Sequence, residues 1–224
     1  MAIRKKRNNR QKNRRFFLFD FDGVLADSLK KHIEFCLRVN EKYQKDLALP
    51  AIDDPKAWRP FVSFPFEKFL VNLGFSPDEA KIIHDTDYLE EFGLRSGPRL
   101  LFPGVTEMII ELHRAGNRLG IVSLNTFSNI LNSLEELAGY FDVINTADQF
   151  PDNKVPALIN ACAILQIKAE DAVYVGDALS DFRAANEISM PFIGASYGWQ
   201  ISGEETEFPS VASVEDLHWV LANL

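Results

Sequence analysis

Apolar residues recur along this chain in two periods, and the switch between them lays out the fold. Phe16, Phe17, Leu18 and Phe19 form a short apolar run of the kind that makes a buried strand. From Ser28 to about Asp46 the spacing becomes helical. Leu29, His32, Ile33, Cys36, Leu37 and Val39 mark one face of an amphipathic helix, with Ser28 as its N-cap. Pro50, Asp53, Asp54 and Pro55 break that pattern. A second helical stretch carries Phe66, Phe69, Leu70 and Leu73 and ends at Gly74. A third opens at Ser76, with Pro77 at the first helical position and Glu79 completing a capping box. Residues 29 to about 95 therefore read as all-helical.

Pro103 and Gly104 end this region. A helix follows, with Val105, Met108, Ile109, Leu112 and His113 on one face and Gly116 as its stop. Arg118 to Leu124 reads as a strand, Ile130 to Leu137 as a helix and Phe141 to Ile144 as a short strand. Lys154 opens another helix, whose Pro156 suits a first turn. Ala172 to Val175 is a strand running into Gly176 and Asp177. Phe182 to Ile188 is a helix, Pro191 to Ala195 a strand, and Ser213 to Leu224 a closing helix with Ser213 and Asp216 spaced like a capping box. Strands alternating with helices predict an α/β fold built on a doubly wound parallel sheet, with a small all-helical cap inserted after the first strand. The division expected is a core of residues 16–28 and 97–224, a cap of 29–96 and an arm of 1–15.

Composition adds one asymmetry. The net charge is −8, yet Met1 to Arg15 hold eight of the 24 Lys and Arg residues and no acid. Residues 16–224 then carry 16 basic against 32 acidic residues, a balance of −16. An acidic body argues against a nucleic-acid duplex as the main partner, except through the basic arm. That arm has no apolar segment and so is not a secretory signal; it reads as a solvated extension. No apolar run reaches the length of a membrane span. Cys36 and Cys162 fall in helices and form no zinc or disulfide pattern, which points to a reducing cytoplasm.

Candidate chemistry collects at strand ends. Asp20 and Asp22 follow the first apolar run at a spacing of two, and Gly23 lets the chain turn. Two carboxylates at the end of a buried strand repel each other and lose water, so such a pair calls for a cation. Oxygen donors suit Mg²⁺. In open parallel sheets ligands bind beyond the carboxyl ends of the strands. Asp20, Ser123 and Asp177 each sit at a strand end and Lys154 at a helix start, which brings them to one rim.

Four stretches, DFDGVLADS at 20–28, GIVSLN with Ser123 and Asn125, NKVP with Lys154, and GDALSD with Asp177 and Asp181, resemble in order the four motifs of the haloacid dehalogenase-like hydrolases. PGV at 103–105 and the GIVS strand are similar to the phosphoglycolate phosphatase and β-phosphoglucomutase branch, which has a helical cap. The resemblance implies a phosphoric monoester hydrolase that uses Mg²⁺ and acts on a small phosphorylated metabolite. Phosphoglycolate, a sugar phosphate and a nucleoside monophosphate all suit it. It makes Asp20 the nucleophile, carrying an aspartyl-phosphate, and Asp22 the acid and then base, which must hold a proton when substrate arrives. It makes Asp20, Asp22 (by its main-chain carbonyl), Asp177 and Asp181 the metal ligands. Ser123, Asn125 and Lys154 hold the phosphate, and Lys154 also offsets the charge of Asp20. One departure stands out: the usual Lys-Pro is here Lys154-Val155-Pro156, which leaves the local loop open. A phosphomutase, or a binding protein that keeps the fold without turnover, is the alternative.

Substrate choice is assigned to the cap. Lys30, His32, Arg59, Arg95 and Arg99 are the candidates to meet an anionic substrate, each read first as a solvated surface charge. Ser63 stands where related caps often have Gly, and Trp199 in SYGW is read as loop or as core. A monomer or homodimer is expected.

Overall fold

The computed structural model describes residues 14–63, 65–92, 98–151 and 153–224. Arg95 and all of the basic arm but Arg14 and Arg15 lie outside these. Phe16–Phe19 form β1 at the middle of a six-stranded sheet. The others are β2 (Arg118–Val122), β3 (Val143–Asn145), β4 (Ala172–Gly176), β5 (Phe192–Ala195) and β6 (Ser210–Val211), in the order β3-β2-β1-β4-β5-β6. Every pairing is parallel. Parallel neighbours need crossover connections, and the helices supply them.

The alternation of side chains along β1 divides the core in two. Phe17 and Phe19 point to one face, where they meet α6 (Val105–Arg114), α7 (Phe127–Leu134) and α10 (Val214–Asn223) through residues such as Met108, Ile130 and Leu217. Leu18 points to the other, with Tyr174 and the apolar residues of α8 (Lys154–Leu165) and α9 (Leu179–Glu187). Both faces are covered, so the central strands are apolar throughout. Burying each of these Phe side chains contributes about 2 kcal/mol.

The stretch between β1 and α6 holds α1 (Leu29–Lys42), α2 (Pro55–Trp58), α3 (Phe66–Leu73), α4 (Pro77–Ile83), a π turn over His84–Tyr88 and α5 (Leu89–Phe92). It has its own apolar cluster, built on Ile33, Phe35, Trp58, Phe66, Phe69 and Phe92. The two chain crossings between helices and sheet run side by side: Asp27 N donates to Leu100 O at 2.8 Å, and Phe102 N to Leu25 O at 2.9 Å. Arg59 also donates to Ser196 O at 2.6 Å and Gln200 to Val62 O at 3.3 Å, fastening the helices to the loop after β5. No helix among the described residues is long and apolar enough to cross a membrane.

Several boundaries differ from the periodic reading, and the causes are local. The helix expected from Ile130 begins at Phe127, because the Thr126 side chain accepts from Asn129 N. The helix expected from Phe182 begins at Leu179, where Ala178 N donates to Asp181. The first helix stops at Lys42 rather than near Asp46. The break at Pro50 to Pro55 contains a short helix: Asp54 accepts from Ala57 N at 3.2 Å and caps it. The Ser76–Glu79 capping box is present on both sides, at 2.9 and 3.3 Å.

His32, read as a surface charge, is instead buried in the helical cluster, 4.6 Å from the Phe92 ring centre and 5.3 Å from that of Trp199. Burial, with the cations of Arg99 and Lys31, pushes its pKa down to about 3 from 6.5. Between those values the unfolded chain binds a proton that the folded one refuses. Stability is thus intact above pH 6.5 and is lost as pH falls toward 3. By pH 5 the loss is about 2 kcal/mol. His32→Phe is expected to flatten the stability curve between pH 6.5 and 5 in denaturant titrations; an unchanged slope would refute the account.

Candidate active site

β1 delivers Asp20 to the rim. Asp20 N continues the ladder to Val175 O at 2.8 Å, and its Oδ1 accepts from Phe21 N at 2.7 Å, which aims the other oxygen outward. The chain then turns on Gly23, whose φ is +75°. A Cβ at Gly23 would lie 2.0 Å from Asp177 Oδ2, and one at Gly198 would lie 2.3 Å from the Gly23 carbonyl oxygen. Only glycine at both positions lets the loops after β1 and β5 close on Asp177.

Asp177 follows β4 directly. Trp199 N donates to its Oδ2 at 2.6 Å, and Ile201 N to its carbonyl at 2.8 Å, so the loop after β5 wraps this acid. Asp181 lies in the first turn of α9, fully buried. Lys154 opens α8, where Asn153 caps the helix by accepting from Val155 N at 2.8 Å. Pro156 occupies the third helical position, where no intrahelical N–H is needed. The extra residue in Lys154-Val155-Pro156 thus leaves the amine in place. Lys154 Nζ donates to Asp20 Oδ2 at 2.5 Å and to Asp181 Oδ1 at 2.6 Å.

Carboxylate oxygens of Asp20, Asp177 and Asp181 lie within 4.8 Å of one another, all three buried. Three carboxylates and one ammonium leave a formal excess of two negative charges. Burial and crowding move the proton affinities of these groups. Burial pushes Asp20 up to about 7, against the pull of Lys154 and with the push of Asp181 and Asp22. Burial, then Asp181 and Asp20, hold Asp177 well above the carboxylate range. Burial alone would lower Lys154, but Asp181 and Asp20 overcome it and hold the amine well above its usual value. The donors are all carboxylate oxygens, a set that fits a hard divalent cation, and such an ion would cancel the excess.

Asp22 faces the same cavity but not the triad. Its Oδ1 accepts from Ser28 Oγ at 2.5 Å and its Oδ2 from Asn125 Nδ2 at 2.7 Å. Ser28 therefore does not cap α1 with its side chain, contrary to the sequence reading; the hydroxyl is used by Asp22 instead. Asn125 in turn accepts from Thr126 N and Asn129 Nδ2, at 2.8 and 3.1 Å, which fixes its amide. Ser123 Oγ accepts from Asn125 N at 3.2 Å and keeps its proton free to donate. Asp20, Asp22, Ser123, Asn125, Lys154 and Asp177 line one cavity of about 700 Å³. Asp181 lines it too, so the residues assigned to catalysis, phosphate and metal share one cavity.

The residues assigned to substrate choice separate. Lys30 and Arg59 line a different cavity of about 490 Å³ beside Tyr197, while Arg99 and Ser63 line the cavity that holds Asp20. Arg99 is buried rather than solvated. Sequence reasoning missed the Trp199 amide and the Ser28 hydroxyl as supports of the acids. The glycine in Ser196-Tyr197-Gly198-Trp199 was the one available signal for the first.

A family model described as haloacid dehalogenase-like hydrolase matches residues 17–195. A phosphoglycolate phosphatase of Nitrosococcus oceani is 30% identical over 196 residues, spanning 81% of this chain and 84% of that protein. A probable phosphatase of Dickeya dadantii, IndB, is 28% identical over 191 residues, 81% of this chain and 80% of its own. Among solved structures, a predicted phosphatase from Clostridium acetobutylicum superposes with a TM-score of 0.70 at 25% identity, covering 94% of this chain and 99% of that one. The six-stranded parallel sheet with its flanking helices is consistent with that fold. The chain belongs to the haloacid dehalogenase-like hydrolases, in the phosphoglycolate phosphatase-like branch, and is a phosphatase acting on phosphoric monoesters.

Proposed function

We propose that this phosphatase is Mg²⁺-dependent and hydrolyses a small phosphorylated metabolite through an aspartyl-phosphate on Asp20. The observation that carries the reading is the Lys154 amine, 2.5 Å from Asp20 and 2.6 Å from Asp181, beside a third buried carboxylate. A phosphate ester is anionic and resists attack by an anion, so the site must supply positive charge and in-line positioning. Asp20, Asp177 and Asp181, with the Asp22 main-chain carbonyl, are the proposed ligands of the magnesium. When bound, the ion supplies the positive charge that lets a carboxylate face a phosphoryl group.

The chain's own residues do the rest. Asp20 Oδ2 attacks phosphorus, with Lys154 drawing off the charge that builds on the phosphoryl oxygens. Ser123 Oγ and the main-chain amides near Asn125 hold those oxygens. Asp22 gives its proton to the leaving alcohol and later takes one from the water that opens the aspartyl-phosphate. Its two hydrogen bonds, from Ser28 and Asn125, hold the carboxyl in one orientation at the cavity. Residues 29–96 act as a cap over a core of 16–28 and 97–224.

The test is release of phosphate from a panel of small phosphate esters. Turnover is expected with Mg²⁺, to fall more than about 100-fold in excess EDTA, and to return on adding Mg²⁺ back. Full turnover in EDTA would defeat the metal assignment, and no turnover across the panel would defeat the substrate assignment.

A further inference from the structure

Arg99 is a charge that the phosphoryl chemistry does not use. Its main-chain N–H donates to Ser133 Oγ at 2.8 Å, which pins its backbone against α7. The side chain is only 6% exposed and lines the same cavity as Asp22 and Asn125. Its guanidinium carbon stands 5.0 Å from the centre of the Phe92 ring. Among the described residues no carboxylate forms an ion pair with it, and its buried Nε meets no hydrogen-bond acceptor.

A guanidinium is permanently charged and presents a rigid fork of donors. Withdrawing it from water without a counter-charge is unfavourable, so a fold that keeps it against a cavity gains when an anion arrives there. The neighbouring wall is aromatic. Tyr88 stacks on Phe66 at 4.1 Å and on Phe92 at 4.7 Å, and His32 stacks on Phe92 at 4.6 Å. The π turn over His84–Tyr88 leads directly into α5, which carries Phe92. The cavity therefore has the phosphoryl site at one wall and an aromatic wall around a fixed positive charge at another.

We propose that Arg99 selects substrates bearing a second anionic group, a carboxylate or a second phosphate, besides the phosphoryl group that is removed. The inference rests on the phosphatase reading of this cavity. It turns an arginine that sequence places on the surface into the residue that sets specificity.

The test compares kcat/KM with Mg²⁺ on phosphoglycolate, fructose 1,6-bisphosphate and ethyl phosphate, for the parent protein, Arg99→Gln and Arg99→Lys. The parent is expected to prefer one of the two anionic esters over ethyl phosphate by about 100-fold. In Arg99→Gln that ratio should fall to within about threefold, mainly through KM, because an interaction made equally in ground and transition states is removed. Arg99→Lys, which keeps the charge but not the fork, should retain about a tenth of the preference. The ester whose advantage vanishes identifies the second group as carboxylate or phosphate. A parent with no preference, or Arg99→Gln and Arg99→Lys variants that lower all three esters equally, overturns the inference while leaving phosphatase activity standing. A parent that turns over none of the three removes the underlying reading as well.

Discussion

Asp20→Asn is expected to abolish phosphate release, lowering kcat/KM by about 10⁴-fold or more, while the melting temperature in EDTA stays level or rises. The first half follows from position. Asp20 Oδ2 is aimed into the cavity by the Phe21 N–H on its other oxygen, and an amide in its place cannot attack phosphorus. The second half follows from charge. Burial pushes the Asp20 carboxyl up to about 7, so above that pH its ionised form is held against its preference when no divalent ion is present. Asparagine keeps the Oδ1 acceptor and removes the charge. The pair of results separates chemistry from folding: activity lost with stability kept identifies a group maintained for reaction at the expense of the fold. Steady-state assays and thermal melts at pH 7.5 check both. Retention of more than about 1% of activity would remove Asp20 as nucleophile.

Lys154→Met is expected to be worse on both counts. Among the described residues its amine is the only cation paired with Asp20 and Asp181, at 2.5 and 2.6 Å, and the side chain is nearly buried. Methionine fills similar space but leaves the buried carboxylates without their cationic partner. Breaking a buried ion pair in this way costs about 3 kcal/mol or more, close to 10 °C in melting temperature for a chain of this size. Turnover should fall by about 10³-fold, since charge at the phosphoryl oxygens is no longer met. Mg²⁺ should raise the melting temperature of Lys154→Met more than that of the parent, because the ion replaces the missing charge. Equal shifts in the two proteins would mean that the ion binds away from Asp20 and Asp181.

The strand ends were legible because they rest on a simple pattern: an apolar run, then a residue that no core accepts. Asp20, Ser123 and Asp177 all follow that rule, and parallel topology then places them on one rim. Lys154 was legible despite its displaced proline, since a helix start depends on Asn153 as cap more than on Pro156. What escaped depends on proximity between distant segments or on which way a polar side chain turns. Ser28 has the spacing of a cap, yet its hydroxyl goes to Asp22, six residues back. The Trp199 amide meets Asp177 across 22 residues, a contact that no periodicity encodes. Arg99 and His32 were read as surface charges because charge argues for exposure; the helical spacing of His32 with Leu29 and Ile33 pointed the other way, and for Arg99 only its packing on Phe92 shows the enclosure. The two-residue β6 is too short to carry a period.

Trp199 belongs to two neighbourhoods at once. Its ring packs in the helical cluster, edge-on to His32 at 5.3 Å, while its main-chain N–H holds Asp177 at 2.6 Å. A substitution that unseats the helices at Trp199 would therefore also disturb the hydrogen bond that orients Asp177. Trp199 thus joins the helical cluster to the wall of the cavity that Asp177 lines.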